Sequence, residues 1–289
     1  MKKDKEKLIG RQAFEQYYSE LFGQRWESLK KAFAAPTDSV EFKLDGAQKP
    51  YYLDSASIFA AQCLPLQDAV DILDLCAAPG GKTLVLASRM KEDARLSSNE
   101  RSPQRKHRLV TVVQECLPPE ISERITVSCS DGSTWCKRQS ECFDSILLDA
   151  PCSSERHVLA DPKYLDVWTP SRIKTVTMEQ WALLSSAFRM LRRGGYLLYS
   201  TCALAPQEND GMIERLIKKF GQEAFCIEKD LACGPFDRLR DHGELRDHGE
   251  RRDHGGNILL EPTLYGQQIL PDKSNGAGPI YFSVIKKRC

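Results

Sequence analysis

Short apolar runs alternate with helix-length segments from residue 71 onward, and this alternation limits the folds open to the chain. The runs are DILDLC (71–76), RITVSC (124–129), SILLDA (145–150) and YLLYST (196–201). Strands separated by helices form a parallel sheet covered on both faces, so the sequence predicts an α/β fold. PIYFSVIKK (279–287), with QQIL (267–270) before it, predicts a C-terminal antiparallel strand pair.

The pattern of apolar residues also divides the chain. Residues 5–34 carry apolar side chains at three- and four-residue spacings, which predicts one or two amphipathic helices. We therefore predict an N-terminal helical extension, residues 1–48, and a larger α/β domain, residues 49–289. A second stripe, from Ile173 to Leu191, predicts a long helix that ends at Gly194 and Gly195.

Composition excludes several classes of protein. No apolar run reaches the roughly 20 residues that a membrane-spanning helix requires. The first residues, MKKDKEKLIGRQ, match neither a signal peptide nor a transit peptide. The 11 cysteines include no C-x-x-C pair, which is typical of reduced thiols, so we expect a cytoplasmic protein without a membrane contact. The 41 basic and 40 acidic residues nearly cancel, so any nucleic-acid surface must be local.

One segment repeats R-D-H-G at a six-residue step, in LRDHGELRDHGERRDHGG (239–256). Its three histidines would lie on different faces of a helix, and no cysteine stands among them. We predict a flexible loop over residues 236–258 and no metal, with a metal site as the alternative.

The segment DLCAAPGGKT (74–83) predicts a turn that binds a nucleotide-type cofactor. A phosphate-binding loop would need glycine at position 76, and the spacing of a dinucleotide fingerprint is also missing. Glu100 and Asp131 follow the next two predicted strands, where a carboxylate can accept hydrogen bonds from a ribose diol or an adenine amine. The candidate cofactor residues of the turn are Cys76, Ala77, Ala78, Pro79, Gly80, Gly81 and Lys82.

Two more cysteines stand at predicted strand ends: Cys152 in LLDAPCSSERH (147–157) and Cys202 in LYSTCALA (198–205). Because ligands bind beyond the carboxyl ends of parallel strands, Cys76, Cys152 and Cys202 are predicted on one rim. A single cysteine at a strand end is usually a buried structural thiol. Two of them beside a cofactor turn favour a functional pair.

Taken together and in this order, DLCAAPGGKT, DAPCSS (149–154) and YSTCAL (199–204) resemble the Sun/Nop (RsmB-like) family of S-adenosylmethionine-dependent RNA 5-methylcytosine methyltransferases. NERSPQR (99–105) and PQEN (206–209) resemble further family motifs, and the resemblance covers roughly residues 50 to 287. It implies a Rossmann-like methyltransferase fold for residues 49–289, with S-adenosyl-L-methionine as cofactor. It also adds Arg105, Gly132 and Asp149 to the candidate cofactor residues.

The resemblance implies four catalytic residues. Carbon 5 of cytosine is a poor nucleophile until a thiolate adds to carbon 6 and forms an enamine-like adduct. By resemblance, Cys202 is this nucleophile and Cys152 assists its later release. Asp149 would contact the polar edge of the base, and Lys82 resembles the family lysine near that carboxylate.

The base pocket departs from the family pattern, because Ser154 and Ala203 stand where many members have glycine and serine. In the loop 153–170, we expect Arg156, His157 and Trp168 to contact the target nucleotide, with an ordinary surface role as the alternative. We also expect a basic strip around Arg105 and the N-terminal helices to hold the RNA backbone.

The chain resembles short family members that lack a separate RNA-binding domain and act on rRNA or tRNA, some with a protein partner. We expect a monomer and an unstacked cytosine as the target. Two alternatives stay open. A DNA cytosine methyltransferase would use Cys152 as its nucleophile, and an assembly factor would bind RNA without catalysis.

Overall fold

The computed structural model describes residues 8–37, 39–228 and 258–289. In chain order, the helices of these residues are α1 (Gly10–Phe22), α2 (Arg25–Ala34), α3 (Ser55–Gln62), α4 (Gly81–Ala87), α5 (Pro103–Cys116), α6 (Pro119–Ser122), α7 (Glu155–Ala160), α8 (Pro162–Leu165), α9 (Ser171–Met190) and α10 (Asp210–Phe220). The strands are β1 (Ser39–Phe42), β2 (Tyr51–Asp54), β3 (Asp71–Asp74), β4 (Arg95–Asn99), β5 (Ile125–Ser128), β6 (Phe143–Asp149), β7 (Leu191–Thr201), β8 (Phe225–Glu228), β9 (Glu261–Pro262), β10 (Gln267–Ile269) and β11 (Ile280–Lys287).

A nine-stranded sheet organises the fold, in the order β5-β4-β3-β6-β7-β11-β10-β9, with β8 also paired to β11. The pairs among β3 to β7 are parallel. Strand β11 runs antiparallel to β7 and to β10, as the C-terminal sequence predicted. The predicted α/β fold is therefore confirmed.

Alternating side chains of the strands bury two separate cores. In β6, Leu147 packs with α3, α4 and α5, whereas Ile146 and Leu148 pack with α9 and α10 on the opposite face. All three leucine and isoleucine side chains are fully buried. A strand covered on both faces needs apolar residues at consecutive positions, which explains the unbroken run SILLDA.

The predicted end of α9 was wrong. The helix stops at Met190, and Gly194 and Gly195 lie inside β7. Gly194 has a φ of 79°, and a Cβ on Gly195 would stand 2.6 Å from the carbonyl oxygen of Asp144. The register between β6 and β7 is irregular at the same place, so the glycines form a bulge within the strand.

Helices α1 and α2 pack against the segment that follows β6. Phe14, Tyr18 and Trp26 share a buried cluster with Trp168, whose ring centroid lies 5.1 Å from that of Phe14. Trp168 is 1% exposed, so the expectation that it contacts a nucleotide was wrong. Strand β1 pairs with β2, and position 48 falls in the loop that joins these strands.

Three further expectations concern the repeat loop, membrane-spanning helices and the state of the cysteines. Most of the loop 236–258, including the R-D-H-G repeat, lies outside the described residues. Within residues 8–37, 39–228 and 258–289, none of the helices combines the length and the apolar character needed to cross a bilayer. In the same ranges, nine cysteines are free thiols, whereas Cys63 is disulfide-bonded, so the expectation of reduced thiols was wrong for Cys63.

Candidate active site

The carboxyl ends of three adjacent parallel strands bring the predicted cysteines to one rim. Cys76 follows β3, Cys152 follows β6 and Cys202 follows β7 directly. The sulfur atoms of Cys152 and Cys202 lie 2.7 Å apart, and both residues are free thiols. This distance exceeds the roughly 2.05 Å of a disulfide bond. The two sulfurs are therefore in direct contact without a covalent bond between them, so both can act on one bound base.

An ion pair lies beside the two thiols. Lys82 Nζ donates to Asp149 Oδ2 at 2.8 Å, and Ser200 Oγ donates to Asp149 Oδ1 at 2.7 Å. Burial opposes the charge on Lys82, but the attraction of Asp149, and then of Cys202, raises the pKa of the amine above its ordinary value. Lys82 therefore stays a cation at neutral pH, close to the carboxylate and to the thiol of Cys202.

The segment that carries Cys152 is held by a buried carboxylate from elsewhere in the chain. The Ser153 amide donates to Glu208 Oε2 at 2.9 Å. Gln180 Nε2 donates to the same oxygen and to the carbonyl oxygen of Pro151, both at 2.9 Å. Ser154 follows with a positive φ of 54°. These contacts fix the backbone on both sides of Cys152.

A second set of hydrogen bonds holds the segment that carries Cys202. Thr201 Oγ1 donates to Asn209 Oδ1 at 2.6 Å, and Asn209 Nδ2 donates to the carbonyl oxygen of Ala203 at 2.9 Å. The Leu204 amide donates to Glu155 Oε2 at 3.0 Å. Asn209 and Glu208 belong to PQEN, which the sequence indicated only as a motif without a role. Glu155 and Gln180 were missed altogether.

The environment keeps Cys152 protonated. Its hydrogen bond with Cys202, and then its burial, raise the pKa of the Cys152 thiol well above its ordinary value, and the nearby carboxylates of Glu208 and Glu155 act in the same direction. Since a thiol rather than a thiolate stands at Cys152, this residue can donate a hydrogen bond to the sulfur of Cys202.

The buried carboxyl of Glu208 yields a pH prediction. Burial, and then repulsion from Glu155, raise the pKa of Glu208 from an ordinary 4.5 to about 7. The folded protein therefore holds this proton over a pH range in which the unfolded chain has released it. Its contribution to stability is complete below about pH 4.5 and is lost as the pH rises through 7, on the order of 3 kcal/mol in total.

Glu208→Gln should remove this dependence. Only Oε2 of Glu208 accepts hydrogen bonds from Ser153 and Gln180, while Oε1 is buried without a partner, so an amide keeps both bonds. We expect the variant to match the wild type in free energy of unfolding near pH 5 and to exceed it near pH 8. Denaturant unfolding at the two pH values measures the difference, and parallel pH profiles would contradict the prediction.

The predicted cofactor turn lies between β3 and α4. Gly80 has a φ of 120°, and a Cβ there would stand 2.8 Å from Val112 Cγ1, so the turn requires glycine. Arg105 donates to the carbonyl oxygen of Ala78 and lies 3.4 Å from the Glu100 carboxylate. Burial raises the pKa of the Cys76 thiol, which makes it an unreactive member of the turn.

The predicted acidic residues stand at neighbouring strand ends. Glu100 follows β4 and is buried, whereas Asp131 follows β5 and is exposed. Asp131 Oδ1 accepts from the Ser133 amide at 3.0 Å and so caps the 3₁₀ helix Gly132–Lys137. A Cβ on Gly132 would stand 2.7 Å from Leu75 Cδ1. The two carboxylates and the two glycine-dependent turns thus surround the ends of β3, β4 and β5.

Arg156 and His157, both in the loop 153–170, have different surroundings: Arg156 contacts other segments of the chain, whereas His157 is exposed. Arg156 donates to the carbonyl oxygens of Ala32 and Gly276, and its guanidinium lies 5.4 Å from the ring centroid of Phe33. It therefore links α7 to α2 and to the segment before β11. His157 is exposed, with its ring 4.9 Å from that of Tyr164.

Comparison with known proteins shows which family this chain resembles. A family model described as 16S rRNA methyltransferase RsmB/F matches residues 61–231. A mitochondrial tRNA (cytosine(34)-C(5))-methyltransferase of Danio rerio is 31% identical over 246 residues, which are 84% of this chain and 62% of the relative. Ribosomal RNA small subunit methyltransferase F of Aliivibrio fischeri (strain MJ11) is 36% identical over 174 residues, or 59% of this chain and 36% of the relative.

The fold has a counterpart among solved structures. The crystal structure of NSun6 from Pyrococcus horikoshii with SFG superposes with a TM-score of 0.63 at 23% identity, covering 84% of this chain and 54% of that one. This likeness concerns the fold alone. The chain spans only part of the length of the Danio rerio relative, of the Aliivibrio fischeri relative and of the Pyrococcus horikoshii structure.

Proposed function

Since the chain belongs to the family of 16S rRNA methyltransferases RsmB/F, we propose that it transfers a methyl group to carbon 5 of a cytosine in RNA. The observation that carries this proposal is the 2.7 Å contact between the sulfurs of Cys152 and Cys202 beside the Lys82–Asp149 ion pair. Covalent activation of a pyrimidine needs a nucleophile and a second group that handles protons. The rim supplies both within one hydrogen-bonded cluster.

Cys202 is the nucleophile of the proposed reaction. Its sulfur adds to carbon 6 of the base, which turns carbon 5 into an enamine-type nucleophile. Lys82 remains positively charged, and its amine and the Cys202 thiol lie close enough to interact electrostatically. A cation there can stabilise the negative charge that the sulfur carries as it attacks, so Lys82 is the group that assists Cys202 in the proposed reaction.

Asp149 orients the base. Its two oxygens accept hydrogen bonds from Lys82 and Ser200, which fix the direction of the carboxylate at the end of β6. The side chain is one-third exposed, so it can still reach a nucleotide. A carboxylate at this position can accept a hydrogen bond from the exocyclic amine of cytosine and so hold carbon 6 of the base toward Cys202.

S-adenosyl-L-methionine is the cofactor of this family and supplies an electrophilic methyl group when it is bound. The chain's own residues fit such a group. Gly80 and Gly132 lie where a Cβ would collide with Val112 and Leu75, so the backbone of both turns packs closely against the core beside the strand ends. Glu100 and Asp131 supply carboxylates suited to a ribose diol and an adenine amine. Cys76 to Lys82 would line the same space, with Arg105 holding the turn.

An RNA substrate is supported by the names of the two curated relatives, which act on tRNA and on small-subunit rRNA. Arg101, Arg105 and Arg108 are exposed on and beside α5, as the proposed basic strip requires.

We propose a monomer that acts in the cytoplasm. Light scattering and cell fractionation test these two points, and a mitochondrial fraction would match the relative from Danio rerio instead.

The proposed activity is tested with the purified protein and S-adenosylmethionine that carries a radioactive methyl group. Total rRNA, total tRNA and genomic DNA are offered separately, and nucleoside analysis identifies the labelled product. We expect 5-methylcytosine in RNA only. Label in DNA would favour the DNA methyltransferase alternative, and RNA binding without label would favour an assembly factor.

A further inference from the structure

The two cysteine segments are joined by a pair of buried carboxylates. Glu155 belongs to the segment after Cys152 and accepts from the amide of Leu204, two residues after Cys202. Glu208 belongs to the segment after Cys202 and accepts from the amide of Ser153, the residue after Cys152. Each carboxylate thus crosses from one cysteine segment to the backbone of the other.

We propose that Glu155 and Glu208 are positioning residues that form a reciprocal clasp and hold the thiols of Cys152 and Cys202 in contact. The clasp deepens the proposed function, since it would place the nucleophile and its partner for the same reaction. It does not require Glu155 or Glu208 to touch the base.

The placement of the clasp explains why it is needed. The last paired positions of the two strands are Asp149 and Ser200, and the amide of Ala150 makes one further bond to the carbonyl oxygen of Ser200. Beyond that point the sheet no longer sets the spacing of the two segments. The cysteines lie there, so their separation depends on side chains that bridge the segments.

Burial makes the clasp rigid. Glu155 and Glu208 are both 0% exposed, and the ion pairs among the described residues include neither of them. A buried carboxylate without a cation is costly unless hydrogen bonds satisfy it. Amide donors from the opposite segment meet this need only when both segments occupy their observed positions, so the same bonds that offset the burial also fix the geometry.

The N-terminal helices extend the clasp. Tyr18 of α1 donates its hydroxyl to Glu155 Oε1 at 2.5 Å, and the hydroxyl of Ser153 donates to the same oxygen. Burial, and then the charge of Glu155, raise the pKa of Tyr18, so the phenol keeps its proton and remains a donor. Helix α1 therefore supports the arrangement of both cysteine segments.

The clasp is tested first on the free protein, without RNA. Oxidised glutathione takes two electrons and two protons from the thiols of Cys152 and Cys202, forming one disulfide and two reduced glutathione molecules. The glutathione ratio at half-oxidation measures how well the protein holds the two thiols together. Alkylation of the remaining thiols followed by peptide mass spectrometry quantifies this disulfide.

Glu155→Met and Glu208→Met retain the length of the side chain but lose the acceptor. We expect each to require at least about a tenfold more oxidising glutathione ratio than the wild type, or about 30 mV. Glu208→Gln keeps the acceptor oxygen and is the matched control, with an expected change below about twofold. Wild-type ratios in both methionine variants would overturn the clasp.

Folding and function are separated by two further measurements. S-adenosylmethionine affinity, which in the proposed site involves chiefly the ends of β3, β4 and β5, should remain within about threefold in every variant. Should a methionine variant fail to fold, Glu155→Asp and Glu208→Asp keep the carboxyl group with a shorter reach, and unchanged ratios in both would also overturn the clasp. In methylation of RNA, we expect Glu208→Met to lower kcat with little change in KM. An inactive wild type would refute the proposed function and leave the glutathione result valid.

Discussion

Cys202→Ala is expected to reduce methyl transfer to RNA by at least about 10³-fold, because Cys202 supplies the sulfur that adds to carbon 6 of the cytosine in the proposed reaction. The variant should still bind S-adenosylmethionine and RNA, since the change removes one sulfur atom at the end of β7. It should also form no covalent complex with RNA. Transfer of radioactive methyl groups measures the first effect, and denaturing gels of protein with RNA measure the second.

Cys226→Ala is a suitable control for Cys202→Ala. Cys226 lies on β8 and contacts Glu228 and the backbone of Lys286, remote from the rim. We expect this variant to retain full activity. Full activity in Cys202→Ala together with no activity in Cys152→Ala would move the nucleophile to Cys152, as the DNA methyltransferase alternative requires.

The rim of cysteines could be predicted from sequence because it follows from strand order and local pattern. Each strand that carries one is a short apolar run, and parallel strands end at the same edge. The bulge at Gly194 and Gly195 could not be predicted in this way. A glycine pair ends many helices, and only the close approach of Asp144 shows that this pair lies within a strand.

The clasp of Glu155 and Glu208 could not be predicted from the sequence, for a different reason. In SSERHVLADP, an acid such as Glu155 looks like a solvated residue of a polar loop. It is buried beside Tyr18 of α1, which donates a hydrogen bond to it, and Tyr18 and Glu155 are 137 positions apart in the sequence. The predicted nucleotide contact of Trp168 failed for the same reason. Trp168 is buried by Phe14 and Tyr18, which lie far from it in the sequence. Contacts of this range have no periodic signature in a single sequence.

Cys152→Ala is expected to have a different effect from Cys202→Ala: it should trap the enzyme on its RNA. The hydrogen bond with Cys202 is the largest cause of the raised pKa of Cys152. Once the sulfur of Cys202 is bonded to carbon 6, this bond is lost and Cys152 gives up its proton more readily. Its proton passes to solvent, and the resulting thiolate accepts the proton from carbon 5, while the electron pair of that C–H bond restores the double bond between carbons 5 and 6 and expels the thiolate of Cys202.

Without Cys152, addition to carbon 6 and methylation can still occur, but release of the product should slow by at least about 10²-fold, the usual size of one acid or base contribution. The variant should therefore accumulate an RNA–protein complex that survives denaturant and carries the radioactive methyl group. Turnover would stop near one methyl group per enzyme molecule. The double variant with Cys202→Ala should show no complex, because Cys202 forms the bond. A complex that appears in the double variant, or none in Cys152→Ala alone, would show that Cys152 does not perform the release step.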